Sequence, residues 1–152
     1  MIHHIRSLYA TLLEVTRRLD GGAPLLARVC VGLVFTSAGA GKLRNLEQTV
    51  AFFESLGIPA PELQAPFVAA TELGGGLLLI AGLATRLAAL PLAATMVVAI
   101  ATALWSELEG AVDLFGRSEF LLGLLLVWLV LSGPGRFSLD ALVARRASER
   151  PS

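Results

Sequence analysis

The sequence predicts an all-α fold, a polytopic membrane four-helix bundle with short amphipathic helices at its interfaces, and three observations carry that prediction. Apolar residues fall into blocks of membrane-spanning length, about 20 residues at the rise of an α-helix. Mean hydropathy is +0.74, with 55% hydrophobic and 16% charged residues in a chain of 152, a balance unlike that of soluble domains. The block from Pro66 to Arg86 carries a lone carboxylate, Glu72, among small and apolar residues. An ionised acid at that depth costs at least about 2.5 kcal/mol even on a lenient insertion scale, so Glu72 is expected to turn toward other helices and find a partner. At about 3.6 residues per turn, Ala65, Ala69, Glu72, Gly76, Leu79, Leu83 and Arg86 share one face. That face is mostly small, which lets helix backbones approach closely in lipid. The helix is therefore expected at the centre of the bundle.

Several function classes drop out on composition. Net charge is +0 at pH 7 and no basic block of nucleic-acid type occurs, so no DNA or RNA partner is expected. The single cysteine, Cys30, excludes an intrachain disulfide and a paired-thiol redox centre. His3 and His4 are adjacent and point about 100° apart on a helix, which argues against joint ligation of haem or metal. No metal site and no cofactor held by side chains is expected.

Residues 1–23 form an amphipathic N-terminal segment. Ile5, Leu8, Leu12, Val15 and Leu19 recur at helical spacing opposite Arg6, Arg17 and Arg18, until Asp20-Gly21-Gly22 stops the helix. Its arginines suit the cytoplasmic surface of a bilayer. Residues 24–137 hold the four spans. The first runs from Pro24 to about Gly41; Ala38-Gly39-Ala40 resembles a leader cleavage site, but the preceding segment is over-long and Arg28 sits beside the apolar core. Arg28, about one turn inside the cytoplasmic end, has a stem long enough to snorkel to the headgroups. Cys30 on this helix reads as a small packing residue.

From Lys42 to Gln64 the chain is too polar to span, and Leu46, Val50, Phe53 and Leu56 predict a short helix over the outer mouth, with Asn45 as its N-cap. Leu56-Gly57-Ile58-Pro59 ends it, glycine supplying the left-handed residue and proline forbidding continuation. Phe52 and Phe53 would either cover a cavity or anchor at the interface. The Glu72 helix is expected to end near Arg86 and the third span to run from Leu87 to about Trp105, kinked at Pro91 and packed mainly toward lipid. An acidic connection, Ser106 to Arg117, leads to a fourth span through about Leu131, with Ser118 as N-cap and Glu119 in the positive first turn. Residues 138–152 form an amphipathic tail, Ser138 capping its helix and Asp140 in the first turn.

Four spans place both termini on one side. The terminal segments and the Arg86 turn hold eight of the counted cations, against Lys42, Arg44 and Arg117 in the other two connections, so both termini are expected in the cytoplasm. Lys42 and Glu119 then stand at outer helix ends, with Glu72 about 10 Å below that boundary. The three are expected to meet in one polar cluster opening outward. There Lys42 would keep one carboxylate ionised while desolvation favours protonation of the other, an arrangement suited to proton exchange with a quinone. The same three residues equally suit a structural ion pair that fixes helix register. Arg86 and Asp140 would form a second pair at the cytoplasmic face.

These residues resemble the DoxX family of small four-helix membrane proteins. The matching stretches are Arg28-x-x-x-Gly32-x-x-Phe35 leading to Gly39-x-Gly41-Lys42-Leu43; Phe53-x-x-Leu56-Gly57-Ile58-Pro59; Glu72-x-Gly74-Gly75 leading to Gly82-Leu83-x-Thr85-Arg86; and Gly133-x-Gly135-x-x-Ser138-Leu139-Asp140. They run in order over about residues 24–140. Arg28, Lys42, Glu72, Arg86 and Asp140 match the family's polar pattern, and Glu119 is added from placement. The resemblance implies an inner-membrane protein working as the membrane subunit of a quinone-linked redox or thiol and oxidative-stress complex, similar to thiosulfate:quinone oxidoreductase. It implies a partner redox protein or a homo-oligomer, and a bound quinone as the only cofactor. The alternative is a non-catalytic membrane scaffold or an assembly, chaperone-like protein.

Overall fold

The computed structural model describes Arg6 and residues 21–148. Apart from Arg6, the expected N-terminal helix lies outside the described residues, as do both histidines and residues 149–152. Seven helical segments follow: α1 Gly22–Arg44, α2 Leu46–Ser55, α3 Pro61–Ala81, α4 Thr85–Ala99, α5 Ala111–Gly116, α6 Ser118–Ser132 and α7 Leu139–Ser148. Helix α4 runs on through a π turn at Ile100–Leu104 and a 3-10 turn at Trp105–Glu107.

Helices α1, α3 and α4 with its extension have 23, 21 and 23 residues and are apolar enough to cross a membrane. The chain is an integral membrane protein of helical type. Helix α6 is apolar but has 15 residues, about 22 Å at helical rise, less than the roughly 30 Å of hydrocarbon that a full span needs. Helix α1 packs on α3 and α6, and α4 packs on the same two, so the four close into a ring; α2 lies against α3. Val31 and Phe35 of α1, Leu79 of α3, Leu92 and Met96 of α4, and Leu126 and Leu129 of α6 fill its centre.

The tightest seam joins α1 to α3, and side-chain absence makes it possible. A Cβ at Gly76 would lie 2.6 Å from the Thr36 nitrogen and 2.7 Å from the Gly32 carbonyl oxygen, and one at Gly39 would lie 2.6 Å from the Ala69 carbonyl oxygen. Backbones in such contact gain dispersion energy that larger residues would forbid. Ala65, Ala69, Glu72, Gly76 and Leu79 are all buried, as their shared face requires.

That face stops at Leu79. Gly82 adopts φ 67° and the Leu83 N–H donates to the Leu78 carbonyl at 3.0 Å, so α3 ends at Ala81. Leu83 and Arg86 therefore leave the face on which the spacing placed them, and Arg86 belongs to the first turn of α4. The stop after α2 follows the expected pattern: Gly57 has φ 69° and the Ile58 N–H donates to the Phe53 carbonyl at 3.0 Å. Two expected caps are different. Asn45 donates its side-chain amide back to the Gly41 carbonyl at 3.2 Å, closing α1 instead of opening α2. Arg117 occupies the N-cap position of α6, and Ser118 instead donates to the Glu119 carboxylate at 3.1 Å. Ser138 caps as expected, accepting the Ala141 N–H at 3.1 Å. The helices run through Pro66 and Pro91 without a break.

Candidate functional site

Helix ends gather the polar residues into two groups at opposite ends of the ring. At the end where α1 and α4 begin and α3 and α6 finish, Arg28 is 1% exposed. Its guanidinium donates to the Phe137 carbonyl at 2.5 Å and to the Leu79 carbonyl at 3.4 Å. Arg28 thus does not snorkel; a carbonyl in the last turn of α3 and one in the loop between α6 and α7 accept from its two terminal nitrogens inside the protein. A Cβ at Gly82 would collide with that guanidinium, so the glycine serves both the turn and the arginine.

Asp140 does not pair with Arg86. Its carboxylate accepts the backbone N–H groups of Ala84 at 2.7 Å and Thr85 at 3.0 Å, capping α4 from 55 residues away. The reason is local: the free N–H groups of a helix start attract an anion, and Ala84, held at φ 49°, aims its N–H at Asp140. The Asp140 N–H donates in turn to the Gly82 carbonyl at 2.9 Å. Arg86 lies over Gly133 and reaches the Leu131 carbonyl at 3.5 Å. This end is a structural clasp that ties the start of α7 to the α3–α4 turn.

The other group surrounds a cavity of about 530 Å³. Helical spacing aims one face of each ring helix into it: Val34, Phe35, Ala38 and Lys42 from α1; Gln64, Phe67, Val68, Thr71 and Glu72 from α3; Thr95, Val98, Ala99 and Thr102 from α4 and its π turn; Ser118, Glu119 and Leu122 from α6. Phe52 and Phe53 of α2 cover one side, the cavity-covering role left open for them. Glu72 is 2% exposed and forms an ion pair with the Lys42 ammonium, whose side chain is 29% exposed. The half-buried ammonium keeps the buried carboxylate from being an uncompensated charge in an apolar setting. Glu119 lines the same cavity, but its partner is the Ser118 hydroxyl. The structure joins two of the three expected residues directly and sets the third on the cavity wall.

Helix α4 keeps most of its surface exposed, as the lipid-facing role given to it requires, with Leu87, Leu90 and Val97 outward, but its other residues do more. Ala88, Ala89, Leu92 and Met96 are core, and Thr95 and Thr102 face the cavity, each hydroxyl donating to a carbonyl of its own helix. Gln64, Thr71, Thr95 and Thr102 were not among the sequence candidates. Their signal is present, since Gln64 and Thr71 are seven apart on the stripe beside that of Glu72, and Thr95 and Thr102 are also seven apart. Cys30 is exposed on α1 and does not pack in the core.

Comparison with known proteins agrees with this architecture. The DoxX family model matches residues 23–105. A Bacillus subtilis protein named "Putative oxidoreductase CatD" is 37% identical over 121 residues, 78% of this chain and 85% of the relative. The Mycobacterium tuberculosis membrane protein Rv3486 is 37% identical over 132 residues, 80% of this chain and 81% of its own length. The Escherichia coli inner membrane protein YqjF is 28% identical over 130 residues, covering 86% and 98%. No solved structure matches significantly.

Proposed function

The chain belongs to the DoxX family, and from that premise we propose that it is the membrane subunit of a quinone-linked redox or thiol and oxidative-stress complex, its cavity receiving the quinone headgroup. The observation that carries this reading is the pair of half-buried Lys42 and buried Glu72 on the wall of a cavity of about 530 Å³, within the range of small-molecule sites. Phe35, Phe52, Phe53 and Phe67 give flat apolar walls, and polar groups from α1, α3, α4 and α6 stand between them. Those residues fit a ring with an oxygen at each pole.

Bound there, a quinone would supply two-electron redox chemistry coupled to protons. Lys42 would donate a hydrogen bond to a headgroup oxygen, and Glu72 would hold the ammonium in place. Glu119, with no cation bonded to it among the described residues, would exchange protons with the medium. The α2 phenylalanines would limit water entry. Electrons would come from a partner redox protein. The oxidoreductase name of one relative is in keeping with this class.

The cytoplasmic (inner) membrane suits the relatives named for it. Arg28, Arg86, Arg136, Arg145 and Arg146 lie toward the clasp end, and Lys42, Arg44 and Arg117 toward the cavity end. The positive-inside rule then orients a multi-pass chain with both termini in the cytoplasm and the cavity toward the outer face.

Solvent extraction of the purified protein tests the reading. Wild type is expected to yield quinone near one per chain, and Glu72→Gln or Lys42→Met to reduce it about tenfold, the effect of losing roughly 1.4 kcal/mol of binding. A folded wild type free of quinone that co-purifies with soluble proteins would replace this reading with the scaffold one.

A further inference from the structure

Several residues of the cavity wall are exposed at the surface of membrane-length helices. Phe67 of α3 is 71% exposed and Val98 of α4 is 48% exposed, and Pro91 and Ala94 of α4 are exposed as well, yet all four line the cavity. A cavity walled by exposed residues of helices long enough to span a bilayer is open to the side, at the level where hydrocarbon would lie.

The helix geometry explains how this arises. Helices α3 and α4 touch near the Gly82 turn, where a Cβ on Gly75 would lie 3.0 Å from the Leu92 side chain. Counting away from that contact in antiparallel register, Glu72 stands level with Thr95, and Val68 with Ala99. All four of these residues line the cavity, so the two helices separate beyond Gly75. Along the α1–α3 seam no such opening forms, because Gly32, Gly39 and Gly76 hold the two helices at backbone contact, although Val34 of α1 and Phe52 of α2 also line the cavity from exposed positions.

We infer that the cavity takes its ligand sideways from the bilayer, through a window between α3 and α4. The ligand class is then a membrane-dissolved amphiphile whose compact polar head meets Lys42 and Glu72 while its apolar tail lies between Phe67, Ala94 and Val98. This rests on the quinone reading and sharpens it: the site draws on quinones concentrated in the bilayer, and a long tail, already out of water there, has to lie in the window when the head is bound, whereas a tail-less ring does not.

The test uses the full chain in lipid nanodiscs, titrated with a long-chain ubiquinone and with a tail-less methyl-substituted benzoquinone. Ala94→Trp and Val98→Trp narrow the window from lipid-exposed positions, and Leu77→Trp, on an exposed part of α3 away from the cavity, is the control. Either window variant is expected to weaken long-chain binding by about tenfold or more while tail-less binding stays within about twofold, and the control leaves both unchanged. Unchanged long-chain affinity in both window variants overturns the inference. Equal loss of both quinones also overturns it, because the tryptophans would then be acting in the head site. If wild type binds neither quinone, the parent reading fails before any variant is compared, and the window falls with it.

Discussion

Three consecutive glycines on α3 face three different surroundings, and alanine at each tests the packing of the ring. At Gly76 a Cβ meets the Thr36 backbone nitrogen at 2.6 Å, 0.8 Å inside the 3.4 Å where ordinary contact begins, and the Gly32 carbonyl at 2.7 Å. Neither obstacle is a side chain that can rotate away, so α1 and α3 must part along their seam. Overpacking of this kind costs about 1–3 kcal/mol, and Gly76→Ala is expected in the upper half of that range. At Gly75 the obstacle is the Leu92 side chain at 3.0 Å, which can shift, so about 1 kcal/mol is expected. At Gly74 nothing lies within 4 Å, and alanine should stabilise the helix by about 0.5 kcal/mol through its better propensity. Reversible unfolding of the three variants in one mixed-micelle series gives the order. Equal stability of Gly76→Ala and Gly74→Ala would refute the backbone-contact seam.

Lys42→Met leaves Glu72 buried without its cation and should destabilise the protein by about 3 kcal/mol, whereas Lys42→Met/Glu72→Met should regain most of that; the same unfolding series measures both, and equal losses would show that the pair is not coupled. Asp140→Ala frees two helix-start N–H groups and should cost about 2 kcal/mol, while Arg86→Ala, exposed and holding one long bond, should cost under about 0.5 kcal/mol. A double-mutant cycle on Arg86 and Asp140 should give additive losses within about 0.5 kcal/mol; a larger coupling would restore the direct pair that the spacing suggested.

What the sequence made legible is what local periodicity controls. The apolar blocks marked the ring helices, Gly57-Ile58-Pro59 marked a turn, and the face of Glu72 predicted burial from Ala65 to Leu79. Lys42 was found as the partner because a buried acid needs a cation and few were within reach. The face failed beyond Leu79 because Gly82 turns the chain, a backbone choice to which a helical count is blind. Arg28 and Asp140 were recognised as polar pattern positions, but their roles depend on carbonyl and N–H groups 51 to 109 residues away. Charges were matched with charges at the sequence level, whereas helix ends offered better partners. The π turn at Ile100–Leu104 and the short α5 carry no strong local signal; the turn directs Thr102 and Ala103 to the cavity.

The most direct measurement of whether the buried acid serves a ligand is an infrared difference spectrum, protein with bound short-chain quinone minus protein without it, recorded for wild type and for Glu72→Gln. The expected result is a carboxyl-region change in wild type that loses its Glu72 component in Glu72→Gln, leaving at most a Glu119 component, and survives whole in Asp140→Asn, whose carboxylate caps α4 away from the cavity. The same carboxyl change in Glu72→Gln as in wild type would contradict a headgroup site at Lys42 and Glu72.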